Sequence, residues 1–241
     1  MIRPRTAIVL AAGRGERLRP ITDTLPKPLV RIGGRTLLDH ALDRLEAAGV
    51  ERVVVNVHYL GERITEHLAG RRSPEIVISA ETESLETGGG IRNALPLLGA
   101  EPFFAVNGDS LWRDGATSAL HRLADAFDPA RHDIMLLLQR TATAVGYDEG
   151  LGDFTLDQQG TPVWRREGEV APYLYAGVQL LTPRLFEDTP EGRFSMIVLF
   201  RRALAAGRLG AIVHDGEWFH VSTPAGMTLV EERYRGRRGD R

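Results

Sequence analysis

Two glycines and several basic residues follow the first apolar run of the chain in a pattern suited to binding phosphate. Glycine lets backbone N–H groups approach an anion closely, and arginine adds positive charge. The turn therefore predicts a nucleotide-binding site that includes Leu10, Ala12, Gly13, Gly15 and the catalytic candidate Arg17. Two further arginines, Arg14 and Arg19, lie in the same turn.

A lysine between two prolines extends this pattern. Lys27 lies between Pro26 and Pro28 and is the only lysine in the chain. Because proline restricts the backbone on both sides, the ammonium group is held in one place, which suits a triphosphate. Lys27 is therefore the second catalytic candidate. The turn is neither a P-loop nor a dinucleotide-binding fingerprint, because GxxxxGK[ST] is absent and Leu18 occupies the position of the third glycine.

One carboxylate follows a later apolar run. Asp109 ends the segment Phe-Phe-Ala-Val-Asn-Gly-Asp, and ligand sites of open α/β sheets lie at the carboxyl ends of strands. A carboxylate at that edge can bind Mg²⁺ together with water and substrate phosphates. The other interpretation is an Asx turn that leaves the strand, and the phosphate-binding turn upstream favours the metal.

Alternating strands and helices position these residues. Apolar runs at residues 6–11, 52–57, 75–79, 103–106 and 133–138 alternate with amphipathic segments at 36–48, 61–68, 90–98 and 116–127. This order predicts an α/β fold, with a Rossmann-like, mostly parallel sheet and helices on both faces.

The pattern changes after residue 141. Short β-like segments at 153–157, 162–165 and 173–181 predict a small antiparallel β insertion or lid. A helix at 194–206, strands at 209–214 and 218–221, and a helix from Pro224 follow. We expect one domain over residues 1–223, with a nucleotide-binding part at 1–140 and a second part at 141–223. Residues 224–241 are expected to form a helix and a solvated basic tail.

Composition excludes several classes of protein. A net charge of −2 gives no basic excess for nucleic-acid binding. The chain has no cysteine, which excludes disulfides, zinc thiolate sites and thiol catalysis. No stretch reaches the roughly 20 apolar residues of a membrane span. We therefore expect a cytoplasmic protein that binds neither nucleic acid nor membrane; its oligomeric state stays open.

The N-terminal region resembles a known family. The segment LAAGRGERLRPITDTLPKPLVRIGGRTLLDHAL is similar to the signature of the sugar-1-phosphate nucleotidyltransferases, also called nucleoside-diphosphate-sugar pyrophosphorylases. The segment LETGGGI resembles the short N-acetylmuramate-1-phosphate uridylyltransferases of cell-wall recycling. The resemblance implies an enzyme that joins a nucleoside triphosphate, here UTP, to a sugar 1-phosphate, here N-acetylmuramate 1-phosphate, and releases pyrophosphate.

The resemblance also implies that the part at 141–223 is the sugar-binding part, and it implies roles for individual residues. Those for the nucleobase are Glu81, Thr87 and Gly88. Those for the sugar are Asn107, Gly152, Asp153, Tyr175 and Gly177. The metal ligands are Asp109 and His220. The family usually has aspartate where His220 stands. Because imidazole favours softer ions, Mn²⁺ is an alternative to Mg²⁺.

Two alternatives to this function stay open. Glu81 can accept a hydrogen bond from uracil or from guanine, so a mannose-1-phosphate guanylyltransferase is possible. A non-catalytic nucleotide-sugar-binding relative would explain His220 and the absence of the lysine that many members use to hold the sugar phosphate. Arg165 or Arg166 is the candidate replacement for that lysine. A dinucleotide-dependent oxidoreductase is excluded because Asn56 and His58 stand where an acidic residue is needed.

Overall fold

A mixed sheet forms the centre of the molecule. Within residues 2–147 and 150–236, which this computed structural model describes, the sheet has nine strands. The strands in these ranges are β1 (Thr6–Leu10), β2 (Arg31–Ile32), β3 (Arg35–Thr36), β4 (Arg52–Val57), β5 (Glu75–Ala80), β6 (Phe103–Asn107), β7 (Leu111–Arg113), β8 (Ile134–Arg140), β9 (Phe154–Leu156), β10 (Pro162–Trp164), β11 (Tyr173–Leu181), β12 (Leu209–Val213) and β13 (Glu217–Phe219). The helices are α1 (Leu37–Ala47), α2 (Gly61–Leu68), α3 (Glu86–Leu98), α4 (Ala119–Ala126), α5 (Met196–Ala205) and α6 (Pro224–Gly236).

Four parallel strands carry the site. β1 lies between β4 and β6, and β5 extends the sheet beyond β4. In this register Leu10 is opposite Asn56 on one side and Asn107 on the other. The carboxyl ends of these strands therefore open on one edge of the sheet, as predicted.

β11 joins the second half of the chain to the same sheet. It runs antiparallel to both β6 and β8, while β12 is parallel to β8. β8 and β12 therefore run in the direction of β6, and the sheet is mostly parallel, as expected. The expected antiparallel strands are also present, since β9 pairs with β10 and with the start of β11. β7–β13 and β2–β3 form two further small antiparallel sheets.

The apolar side chains of the strands alternate between two cores. In β1, Ala7 and Val9 face a core that includes buried residues of α1, α2 and α4. Ile8 faces the opposite core, which includes Ile91 of α3 and Leu199 of α5. Both faces of the sheet are thus covered, which explains the unbroken apolar runs of its strands.

The end of α6 is held to the protein at Tyr234. Tyr234 is only 6% exposed, and the guanidinium of Arg113 lies 3.9 Å from the centre of its ring. The backbone of Gly33, at φ +62°, passes so close that a Cβ would lie 2.7 Å from this ring. Tyr234 therefore departs from the expected solvated tail, because aromatic and cation–π contacts hold it against the protein, whereas the side chains of Arg233 and Arg235 are exposed as expected. Residues 237–241 lie outside the described residues. In the described ranges, no helix has the length and apolarity needed to cross a membrane.

Candidate active site

A cavity of about 520 Å³ opens at the carboxyl ends of β1, β4 and β6. Ten of the residues predicted from the sequence line it. They are Leu10, Ala12, Gly13, Gly15, Arg17, Lys27, Glu81, Thr87, Asn107 and Asp109. The fold thus brings together the phosphate-binding turn, the caged lysine and the carboxylate of Asp109, which are far apart in the sequence.

Gly15 allows the turn and the lysine to meet. Its φ is +63°, and a Cβ there would lie 2.9 Å from the Cβ of Lys27. Its carbonyl also accepts a 2.9 Å hydrogen bond from the hydroxyl of Thr22. Leu18, in contrast, is fully buried in a core cluster. The turn therefore needs glycine at residue 15 and an apolar side chain at residue 18.

Lys27 and Asp109 form an ion pair at the floor of the cavity. The Nζ atom lies 2.6 Å from Oδ2 of Asp109, and the lysine side chain is only 12% exposed. Burial raises the pKa of Asp109, but the charge and hydrogen bond of Lys27, together with the charge of His220, lower it further. The pKa of this carboxyl therefore lies below its ordinary value. The site thus presents a cation and an anion that neutralise each other.

The donor set at this edge fits a divalent ion that shares its ligands with a substrate. Mg²⁺ is commonly bound by one or two carboxylates plus phosphates and water. Asp109 supplies one carboxylate beside the cavity. Among the residues described, no group of three or more His, Cys, Asp or Glu side chains could hold a metal. The remaining ligands must therefore come from phosphate, water or neutral side chains.

His220 lies next to this cavity rather than in its wall. Its ring stacks on Trp218 with the centroids 5.5 Å apart and meets the ring of Tyr147 edge-on at 5.9 Å. Its backbone N–H donates to the carbonyl of Val145. Ser222, two residues further on, does line the cavity. Aromatic packing thus fixes the position of the imidazole, and its role as a metal ligand stays a prediction.

A buried amide and carboxylate form the opposite wall. Asn56 donates from Nδ2 to Oε1 of Glu81 at 2.6 Å, and it accepts from the N–H of Ala11 at 2.7 Å. Asn56 and Glu81 are 2% and 8% exposed. Asn56 was not among the sequence-predicted site residues. The available signal was a polar side chain in the otherwise apolar run Arg-Val-Val-Val-Asn-Val.

The helix after this wall begins earlier than predicted. α3 starts at Glu86, not at residue 90, and its three glycines lie inside the helix. The segment Gly192–Met196 crosses its first turn: the carbonyl of Phe194 accepts from the N–H groups of Gly88 and Gly89 at 2.9 and 3.0 Å. The expectation that the N–H of Gly88 faces a nucleobase is therefore not met, because that group is bonded to Phe194 and Gly88 does not line the cavity.

Four predicted sugar-binding residues lie outside the cavity wall. Gly152 and Gly177 have φ values of +62° and +75°, and a Cβ at either would lie within 2.2 Å of a neighbour. One carboxylate oxygen of Asp153 accepts the N–H of Tyr175 at 2.8 Å. Burial, and then the charge of Asp109, raise the pKa of Tyr175, whose hydroxyl has no hydrogen-bond partner among the described residues.

Arg165, one of the two arginines considered as replacements for the missing lysine, already bonds to the protein. The guanidinium of Arg165 donates to the carbonyls of Gly152, Arg166 and Glu169. Its Nε–H bond to Gly152 is 2.8 Å long. Arg165 therefore stabilises the loop around it, and this structure gives no support for its replacing the missing lysine.

Known proteins are similar to this chain in sequence and fold. Residues 6–149 match the family model described as nucleotidyl transferase. An N-acetylmuramate alpha-1-phosphate uridylyltransferase of Caulobacter vibrioides is 43% identical over 235 residues, which cover 95% of this chain and 97% of that protein. Its counterpart in Neisseria meningitidis is 33% identical, covering 90% of this chain and 93% of that one.

A solved structure supports the same fold. HddC from Yersinia pseudotuberculosis superposes with a TM-score of 0.76 at 23% sequence identity, covering 95% of this chain and 99% of that one. Identity at this level bears on the fold alone. The family match and the two relatives show the family as well as the fold, because the matched regions include the phosphate-binding turn, Lys27 and Asp109. The chain therefore belongs to the nucleotidyl transferase family, as a sugar-1-phosphate nucleotidyltransferase.

Proposed function

We propose that this protein transfers a uridylyl group from UTP to N-acetylmuramate 1-phosphate in the cytoplasm, giving UDP-N-acetylmuramate and pyrophosphate. The observation that carries the proposal is the Lys27–Asp109 pair, 2.6 Å long, facing the glycine turn in one cavity. The choice of UTP and of this sugar is supported by the activity named for the relatives from Caulobacter vibrioides and Neisseria meningitidis.

The reaction needs charge neutralisation more than proton transfer. The phosphate of the sugar is already an anion at pH 7, so its oxygen attacks the α-phosphorus without a strong general base. The bond from that phosphorus to the bridging oxygen breaks, and pyrophosphate leaves. Catalysis then rests on positioning and on preorganised positive charge.

The residues of the turn, the lysine and the metal-ligand candidates each have a role in this reaction. The backbone N–H groups of Gly13 and Gly15 bind phosphate oxygens, and Arg17 and Lys27 hold the triphosphate and stabilise the leaving pyrophosphate. Asp109, with His220 as the second candidate ligand, would hold Mg²⁺, with Mn²⁺ as the alternative ion. When bound, this ion supplies further positive charge to the phosphates.

The nucleobase and sugar bind on opposite sides of the phosphates in this proposal. Glu81 accepts N3–H of uracil, with Thr87 beside it on the cavity wall. Asn107 lies at the other end of the cavity, next to the strand that carries Tyr175 and Gly177. We assign Asn107, Gly152, Asp153, Tyr175 and Gly177 to the sugar side. Of these, only Asn107 lines the cavity in this structure.

A substrate matrix tests the proposal. Purified protein with Mg²⁺ is incubated with each of four nucleoside triphosphates and a set of sugar 1-phosphates, and pyrophosphate release is measured. We expect turnover with UTP and N-acetylmuramate 1-phosphate. Turnover only with GTP and mannose 1-phosphate would replace this function with guanylyl transfer. No turnover with Mg²⁺ or Mn²⁺ would favour a non-catalytic binding protein.

A further inference from the structure

Asn56 is a buried polar residue whose hydrogen bonds connect two parts of the cavity. It lies near the end of β4 and is 2% exposed. A buried amide is costly unless its donors and acceptor are paired. Here Oδ1 accepts from the N–H of Ala11, in the phosphate-binding turn, and Nδ2 donates to Glu81. The amide therefore connects the turn to the carboxylate on the opposite wall.

The partners fix the orientation of this amide. An N–H can bond only to the amide oxygen, and a carboxylate can bond only to the amide nitrogen. The second carboxylate oxygen of Glu81, Oε2, accepts from the N–H of Leu85 at 3.2 Å. Each carboxylate oxygen of Glu81 therefore accepts one hydrogen bond from the protein. The remaining lone pairs of these oxygens can accept a hydrogen bond from a ligand but cannot donate one.

The fold leaves room for this pair at Gly90. A Cβ at that position would lie 2.7 Å from Nδ2 of Asn56 and 2.7 Å from Oε1 of Glu81. Any side chain there would push the amide and the carboxylate apart. The third glycine of the triplet is thus required by the hydrogen bond between them.

We propose that Asn56 is a positioning residue for nucleotide selection, acting through Glu81. It holds the carboxylate of Glu81 as an acceptor at a fixed distance from the phosphate-binding turn. Bases with an N–H at the edge facing Glu81, such as uracil, are then favoured over cytosine, whose N3 is itself an acceptor. This inference rests on the proposed function, because it assigns the base to the Glu81 side of the cavity.

Exchanging the amide of Asn56 and the carboxylate of Glu81 tests the hydrogen bond between them. Asn56→Asp keeps an acceptor for Ala11 but places a second carboxylate against Glu81. Glu81→Gln replaces one carboxylate oxygen with an NH₂ group. In either orientation this NH₂ group meets a second donor, Nδ2 of Asn56 or the N–H of Leu85. The double variant Asn56→Asp/Glu81→Gln pairs every group again, because the new amide donates to the new carboxylate and accepts from Leu85. Asn93→Asp is the control, since Asn93 is exposed on α3 and does not line the cavity.

Affinities for UTP and for tripolyphosphate distinguish a loss of base recognition from a general disruption of the cavity. We expect each single variant to bind UTP at least tenfold more weakly, with tripolyphosphate binding within twofold of wild type. The double variant keeps one acceptor oxygen at residue 81, next to Leu85, so it should bind UTP at least threefold more tightly than either single variant. The control should match wild type. UTP affinity within twofold in both single variants, no recovery in the double variant, or a parallel loss of tripolyphosphate binding would overturn the inference.

Melting temperatures distinguish a failure of the inference about Asn56 from a failure of the proposed function. A wild-type protein that binds tripolyphosphate but no UTP would refute the proposed function and base selection by Asn56. The hydrogen-bond link would then still be tested, because both single variants should lower the melting temperature and the double variant should restore it. Additive losses of melting temperature would show that the two side chains are not coupled.

Discussion

Replacing Gly89 with alanine should destabilise the protein, although alanine is the better helix former. A Cβ at Gly89 would lie 2.2 Å from the carbonyl oxygen of Gly192. Overpacking of this kind costs about 1–3 kcal/mol. Weakening the two buried hydrogen bonds to Phe194 adds about 1 kcal/mol each, and helix propensity returns about 1 kcal/mol. We expect a net loss of about 2–4 kcal/mol in the free energy of unfolding, or about 4–16 °C in Tm.

Urea unfolding of wild type, Gly89→Ala and a matched control measures this loss. Gly70→Ala is the control, because Gly70 has no neighbour within 4 Å of an added Cβ and lacks a left-handed backbone. It should stay within about 0.5 kcal/mol of wild type. If Gly89→Ala were as stable as wild type or more so, helix propensity would dominate. The packing of Gly192–Met196 over α3 would then be refuted.

Three further predictions concern activity and stability. Lys27→Met should lower kcat/KM by about 10²-fold or more in the pyrophosphate assay, and near-wild-type turnover would refute its role. Tyr234→Ala should lower the free energy of unfolding by about 3 kcal/mol in urea, and an unchanged midpoint would mean that α6 is not docked. Burial raises the pKa of Asp133, but hydrogen bonds from Arg208 and Arg184 lower it further, so it lies below 3.8. Its stabilising effect is therefore present above pH 3.8 and is lost as pH falls through the folded pKa. Asp133→Asn should cost about 1–2 kcal/mol at pH 7 in urea unfolding, and this cost should decrease steadily as the pH is lowered below 3.8; a cost that does not change with pH would contradict this.

Regular local patterns made much of the fold predictable. β4, α2 and β11 have the predicted bounds, because apolar runs and helical spacing are recorded in the sequence itself. The phosphate-binding turn, Lys27 and Asp109 were predicted for a similar reason. Their residue types suit phosphate and metal binding, and each follows a recognisable strand or turn.

Features that depend on distant contacts were missed. Three glycines favour a loop by propensity, yet α3 includes them because Phe194, far along the chain, accepts from the N–H groups of Gly88 and Gly89. Asn56 looks like part of a buried strand until Ala11 and Glu81 are seen beside it. The docking of Tyr234 depends on Gly33 and Arg113, which no local window contains. Tertiary structure decided each of these cases.

The single lysine of this chain makes the candidate active site accessible to spectroscopy without any mutation. A protein grown with isotope-labelled lysine would carry its label only at residue 27, where the Nζ atom contacts Asp109. Its NMR spectrum would then contain one side-chain signal, already assigned. Titrating nucleotide, sugar phosphate and metal ions in turn would show, from that one resonance, which ligand first separates the ammonium group from its carboxylate.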